Sequence, residues 1–85
     1  MTDTPIAVIT GGAQGIGYAC AEAICESGAR IVLADINADG VAKAAETLGN
    51  GTVGTTCDMG DPQQVDALFD QIEAEFGAAS ILVNN

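Results

Sequence analysis

Residues 10–17 read Thr10-Gly11-Gly12-Ala13-Gln14-Gly15-Ile16-Gly17, directly after the apolar run Ile6-Ala7-Val8-Ile9 and at the head of a stretch with helical periodicity. Glycine serves where a backbone turns tightly or approaches a ligand closely, because it has no Cβ to block either. Glycines between a strand and a helix leave backbone N–H groups around the helix N-terminus. That end carries roughly +0.5 charge from the aligned peptide dipoles, so it suits a phosphate. A nucleotide pyrophosphate is the expected occupant, and a purely structural strand-to-helix turn is the alternative.

Working outward, apolar runs alternate with amphipathic ones. The first strand is Ile6–Thr10, and Ile16, Ala19, Cys20, Ala23 and Ile24 follow the i, i+3, i+4, i+7, i+8 spacing of one helix face. Ser27-Gly28 supplies the stop. Residues 30–34 contain Ile31-Val32-Leu33, a continuous apolar run typical of a parallel sheet covered on both faces. Asn37 or Asp39 then caps a second helix through Val41, Ala44, Ala45 and Leu48, ending at Gly49-Asn50.

Residues 52–57 form a third strand, rich in β-branched residues and weakened by Gly54. Asp61-Pro62-Gln63-Gln64 is the sharpest helix start, with Asp61 as cap, Pro62 at the first helical position and Gln64 as capping-box partner. Its buried face comprises Val65, Leu68, Phe69, Ile72 and Phe76, and Gly77 ends it. Ile81-Leu82-Val83 is a fourth strand. The order β-α-β-α-β-α-β predicts an α/β fold: a Rossmann-type parallel sheet with helices on both faces, truncated after the fourth strand. Residues 1–85 are expected to be a single partial dinucleotide-binding domain.

Composition narrows the partners. Twelve acids against Arg30 and Lys43 give a net charge of −10 over 85 residues, which repels nucleic acid and anionic membranes. With 48% hydrophobic residues, the chain is not a disordered acidic tail. It has no basic leader and no apolar stretch long enough to span a membrane, so a soluble, cytoplasmic protein is expected. Cys20, Cys25 and Cys57 show no metal-ligand spacing and there is no histidine, so no metal site is expected and the cysteines read as free thiols.

Two carboxylates extend the loop's reading. Asp35, at the end of the second strand, stands where an acid meets the ribose hydroxyls of a bound adenosine; a solvated turn residue is the alternative. Asp58 stands at the end of the third strand beside the expected adenine, although it could also be a spare acid before the helix that Asp61 caps.

These residues resemble a known family. Thr10-Gly11-x-x-x-Gly15-x-Gly17 is similar to the cofactor motif of classical short-chain dehydrogenases/reductases. Asp58-Met59 resembles that family's adenine-contacting pair, and Leu82-Val83-Asn84-Asn85 the start of its N-N-A-G motif. The resemblance covers the chain from Ile6 onward and implies an oxidoreductase that moves hydride between a nicotinamide cofactor and an alcohol or carbonyl. It implies cofactor contacts from Gly11, Gly12, Ala13, Gln14, Gly15, Ile16 and Gly17, from Asp35 and Ile36, from Asp58 and Met59, and from Asn85. Thr10 is expected to tie the loop to the fourth strand. NADP-using members usually place Arg or Lys at the Gln14 position or just after the second strand; here Gln14 and Ile36 stand there, and Asp35 repels a 2′-phosphate. NAD is therefore preferred over NADP.

The family's chemistry needs a tyrosine, a lysine four residues on, and a serine. The lysine matters because a phenol with a pKa near 10 is a poor base at neutral pH. The sole tyrosine, Tyr18, is followed four residues on by Glu22, and the sole lysine, Lys43, lies in another helix. Ser27 and Ser80 fall at a helix end and a pre-strand turn, and Ser80 replaces the family's usual aspartate. No catalytic residue is assigned. The chain is expected to be the N-terminal, catalytically incompetent portion of a longer dehydrogenase, its substrate a 3-oxoacyl ester, diketone, sugar or steroid bound only by the full-length protein. The resemblance implies a homotetramer for that longer protein. A stand-alone nucleotide-binding module is the second reading. An S-adenosylmethionine-binding methyltransferase piece is the third.

Overall fold

The computed structural model describes residues 5–13, 15–49, 51–77 and 81–83. The elements are β1 (Ile6–Thr10), α1 (Gly15–Glu26), β2 (Arg30–Asp35), α2 (Ala38–Leu48), β3 (Val53–Thr56), α3 (Pro62–Glu75) and β4 (Ile81–Val83). All pairings are parallel, in the order β3-β2-β1-β4, with Ile9 opposite Leu33 on one side and Val83 on the other. The chain thus winds outward from β1 to β3 and then returns to the far side of β1. In open α/β sheets this reversal opens a crevice at the carboxyl ends of the strands, where ligands bind.

Alternation along β1 and β2 divides the interior into two layers. Ala7, Ile9, Ile31 and Leu33 pack with Ala21 and Cys25 of α1 and with Val41, Ala44 and Ala45 of α2. Ile6, Val8, Val32 and Ala34 pack on the opposite face with Leu68 and Ile72 of α3. Helices therefore cover both faces, as the unbroken apolar runs of β1 and β2 require. Arg30 lies over the Phe76 ring, 4.6 Å from its centroid, at the end of β2 opposite Asp35.

The faces of α2 and α3 agree with expectation, with Val65, Phe69 and Phe76 partly buried beside Leu68 and Ile72. The face of α1 does not. Its buried residues are Gly17, Ala21 and Cys25, whereas Ala19 and Ala23 are exposed, Cys20 and Ile24 are half-buried, and Ile16 is 74% exposed. A helix leaving a short loop at the end of β1 must return close over the sheet. Its smallest side chains permit that approach, so they turn inward in place of the larger apolar ones.

Asn37, rather than Asp39, caps α2, its side chain accepting from the Gly40 N–H at 3.0 Å. Asp61 caps α3, accepting from the Gln63 N–H at 3.0 Å. Gln64 does not close the expected capping box. Its Oε1 accepts from the Asp58 N–H at 2.9 Å and its Nε2 donates to the Asp61 carboxylate at 3.2 Å. The Asp61 N–H instead donates to the Asp58 carbonyl, so Gln64 is free to brace the turn that carries Asp58. At the other edge, β4 pairs with β1 and leaves Leu82 57% exposed. No helix among the described residues is long and apolar enough to cross a membrane.

Candidate functional site

The carboxyl ends of β1, β2 and β3 are stitched together by backbone. Gly11 and Gly12 N–H groups donate to the Ala34 carbonyl at 2.8 and 3.4 Å, curling the β1–α1 loop over the end of β2. The Cys57 N–H donates to the Asp35 carbonyl at 3.0 Å. Thr10, buried, donates from Oγ1 to the Val83 carbonyl at 3.3 Å, which is the tie to β4 expected of it. Gly11 and Gly15 take φ of 64° and 67°, in the left-handed region that side chains with a Cβ rarely occupy.

Gly12 is needed for a different reason. A Cβ there would stand 2.8 Å from Leu33 Cδ2 and 3.2 Å from the Ile9 carbonyl oxygen, so the loop lies flat on the sheet. Gly17, in the first turn of α1, is buried. Gly12 sets a packing distance, while Gly11 and Gly15 take the positive φ that the loop's course requires.

A cleft of about 220 Å³ opens at these strand ends, lined by Gly11, Asp35, Ile36, Cys57, Asp58, Met59 and Gly60. Complete small-molecule pockets run from roughly 300 to 1,000 Å³, so this one accommodates part of a ligand. It brings together Gly11 of the loop, Asp35, Ile36, Asp58 and Met59, whereas Ala13 and Gly15 line a separate groove beside α1 and Gly12, Ile16 and Gly17 line neither of the two. Ile36 and Met59 are 67% and 37% exposed, presenting apolar surface at its rim. Asp58 Oδ1 accepts from the Gly60 N–H at 2.9 Å, which aims the carboxylate and leaves further acceptor positions for a ligand donor. Gln14 and Asn85, also predicted contacts, lie outside the described residues, as do Asn84 and Ser80.

Sequence reading missed Cys57, Gly60 and Gln64. The first two flank Asp58-Met59 where β3 ends, and strand alternation places Cys57 inward. The buried Cys57 thiol stands 3.7 Å from Met59 Sδ. Burial pushes its pKa above the ordinary 9.0, and the Asp58 and Asp61 charges push the same way. Because the folded value exceeds the unfolded one, this contribution to stability is complete below pH 9.0 and is lost as pH rises through the folded value. Thermal melts from pH 8 to 11 should therefore show a steeper alkaline decline for the native chain than for Cys57→Val. Parallel curves would contradict that origin.

Tyr18 and Lys43 line one groove between α1 and α2, together with Ala13, Gly15, Gly40 and Thr47. The cleft at the strand ends is lined by neither. Among the described residues, no group of three or more His, Cys, Asp or Glu is placed to hold a metal ion.

A parallel sheet reversing at β1, a glycine loop over the end of β2 and carboxylates at the ends of β2 and β3 define a Rossmann-type fold with a candidate ligand cleft at its strand ends. A family model described as short chain dehydrogenase matches residues 5–85, and the chain belongs to that family of oxidoreductases. It is 43% identical to D-threitol dehydrogenase of Mycolicibacterium smegmatis, an alignment covering 98% of this chain and 33% of that protein. L-sorbose reductase from Gluconobacter frateurii, solved with NADPH and L-sorbose, superposes with a TM-score of 0.90 at 39% identity, over 98% of this chain and 33% of that one. A short chain dehydrogenase/reductase from Burkholderia phymatum, solved with NAD, gives 0.88 at 34%, over 96% and 31%. The chain thus spans about a third of the length of these relatives.

Proposed function

We propose that the chain binds NAD in preference to NADP. The observation that carries this reading is the placement of the Asp35 carboxylate and the uncharged Ile36 side by side in the cleft beside the glycine loop. A carboxylate accepts from the two hydroxyls of an adenosine ribose and repels a phosphate in the same place. The cation that would offset that repulsion is not Arg30, which is engaged with Phe76 at the other end of β2. The pyrophosphate lies over the loop of Gly11, Gly12, Ala13 and Gln14 and against the first turn of α1 at Gly15, Ile16 and Gly17, since the N–H groups of Gly11, Gly12 and Ala13 are held by Ala34 and Asp35. Asp58 and Met59 meet the adenine edge, and Asn85 holds the cofactor beyond β4.

Bound NAD supplies the hydride acceptor, or NADH the donor, for an alcohol or carbonyl substrate in a protein of family length. These 85 residues hold the cofactor and do not themselves catalyse transfer, since Tyr18 has Glu22 four residues on and Lys43 lies in α2. Relatives have been solved with NAD and with NADPH, and the reading for NAD rests on Asp35 and Ile36 of this chain. Calorimetric titration of the chain with NAD, NADP and S-adenosylmethionine tests the proposal. NAD should bind about fivefold or more tightly than NADP, the ratio expected from like-charge repulsion of ~1–4 kcal/mol at 4 Å. S-adenosylmethionine should not bind. Binding of S-adenosylmethionine alone, or tighter binding of NADP, would overturn it.

A further inference from the structure

Asp35 has more partners than recognition of a ribose requires. Its Oδ2 accepts from the Ala13 N–H at 3.1 Å, in the middle of the glycine loop. Its Oδ1 accepts from the Asn37 N–H at 3.0 Å, at the start of α2. The same residue's backbone carbonyl accepts from Cys57 N–H, and its neighbour Ala34 accepts from Gly11 and Gly12. Asp35 is thus the point where the β1–α1 loop, the β2–α2 turn and the end of β3 are joined.

Ala13 lies between Gly11 and Gly15, both with positive φ. Glycine is the residue with the most backbone freedom, so a loop bounded by two of them has no intrinsic preference for one shape. Charge-assisted bonds from an N–H to a carboxylate are roughly twice as strong as neutral ones, and one placed between the two glycines holds the loop. A carboxylate has about four acceptor positions. Two are taken by the protein's own amides, which leaves two, the number a ribose diol supplies as donors.

We propose that Asp35 is a positioning residue for the glycine loop as well as the acceptor for ribose hydroxyls, so that loop geometry and cofactor choice are set by one carboxylate. Held at both oxygens, it cannot rotate away from a 2′-phosphate, which makes its repulsion unavoidable. The ligand half of the proposal rests on the NAD reading above; the clamp itself does not.

The test pairs a ligand-free measurement with a ligand that has no hydroxyls to recognise. In the full chain, amide hydrogen exchange at Ala13 should quicken about tenfold or more in Asp35→Ala, as expected for loss of a bond to a charged acceptor, relative to core amides such as Val8 and Val32. Asp35→Asn, which keeps one acceptor oxygen, should fall between. Native protein and both variants are then titrated with ADP and with 2′,3′-dideoxy-ADP. The clamp predicts that Asp35→Ala weakens binding of both, although the dideoxy ligand offers Asp35 nothing to hold. Unchanged exchange at Ala13, or loss of ADP affinity with dideoxy-ADP unaffected, would overturn it. Failure of the native chain to bind either nucleotide counts against the NAD reading, and exchange at Ala13 then decides the clamp alone.

Discussion

The double substitution Asp35→Ala with Ile36→Arg should shift the ratio of NADP to NAD affinity toward NADP by about tenfold at least, and by as much as a few hundredfold. Two like charges about 4 Å apart cost ~1 kcal/mol in water and ~4 kcal/mol at the effective dielectric of a protein surface, where each 1.4 kcal/mol is a factor of ten. Removing Asp35 relieves that repulsion. Arginine at the exposed Ile36 position adds a planar donor suited to a phosphate. NAD loses its ribose acceptor at the same time, so the ratio moves from both sides. Because Asp35 also holds the Ala13 amide, NAD affinity should fall further than the ribose contacts alone would explain. Competition titrations with the two cofactors measure the ratio, and an unchanged ratio would remove the basis for placing the ribose at Asp35.

The second large effect lies away from the cleft. A Cβ at Gly54 would stand 2.6 Å from the Val41 carbonyl oxygen and 3.1 Å from Ala45 Cβ. The obstructing atom at the shorter distance is helix backbone, so α2 as a whole must move to admit a methyl group. Overpacking of this kind costs about 1–3 kcal/mol. Gly54→Ala should therefore lower the melting temperature by about 4–8 °C per kcal/mol lost, the usual scale for a domain of this length. Thr56→Val, at an exposed neighbouring position of β3, serves as the control and should stay within about 0.5 kcal/mol of the native chain. Equal stability of Gly54→Ala and the native chain would mean that α2 sits further from β3 than the structure places it.

Gly54 also shows what the sequence could and could not disclose. In one dimension it is a poor strand residue; in three it is where α2 comes down onto β3. The order of elements was legible because apolar runs, caps and stop glycines fall at regular intervals, and Asp61-Pro62 marks its helix without any tertiary context. The loop, Asp35 and Asp58-Met59 were legible because parallel strands carry their functional residues at one end. Met59 came only with the family resemblance.

The inward face of α1 was not legible. Periodicity favours large apolar residues such as Ile16 and Ile24, whereas close approach to the sheet selects Gly17, Ala21 and Cys25. The bracing of Asp58 by Gln64 was equally hidden, since spacing puts Gln64 at the Asp61 amide and the turn takes that amide for the Asp58 carbonyl. The second bond of Asp35, to Ala13, spans 22 residues and depends on the curl of the loop.

On the proposed function, the cleft at the ends of β1, β2 and β3 holds the adenosine half of NAD. Titrating the isotope-labelled chain with NAD while following each backbone amide tests it most directly. The largest shifts should fall on residues 11–13 and on Asp35, Ile36 and Met59. Shifts centred on Tyr18, Lys43 and Thr47 in the groove between α1 and α2, or no shifts at saturating NAD, would contradict it.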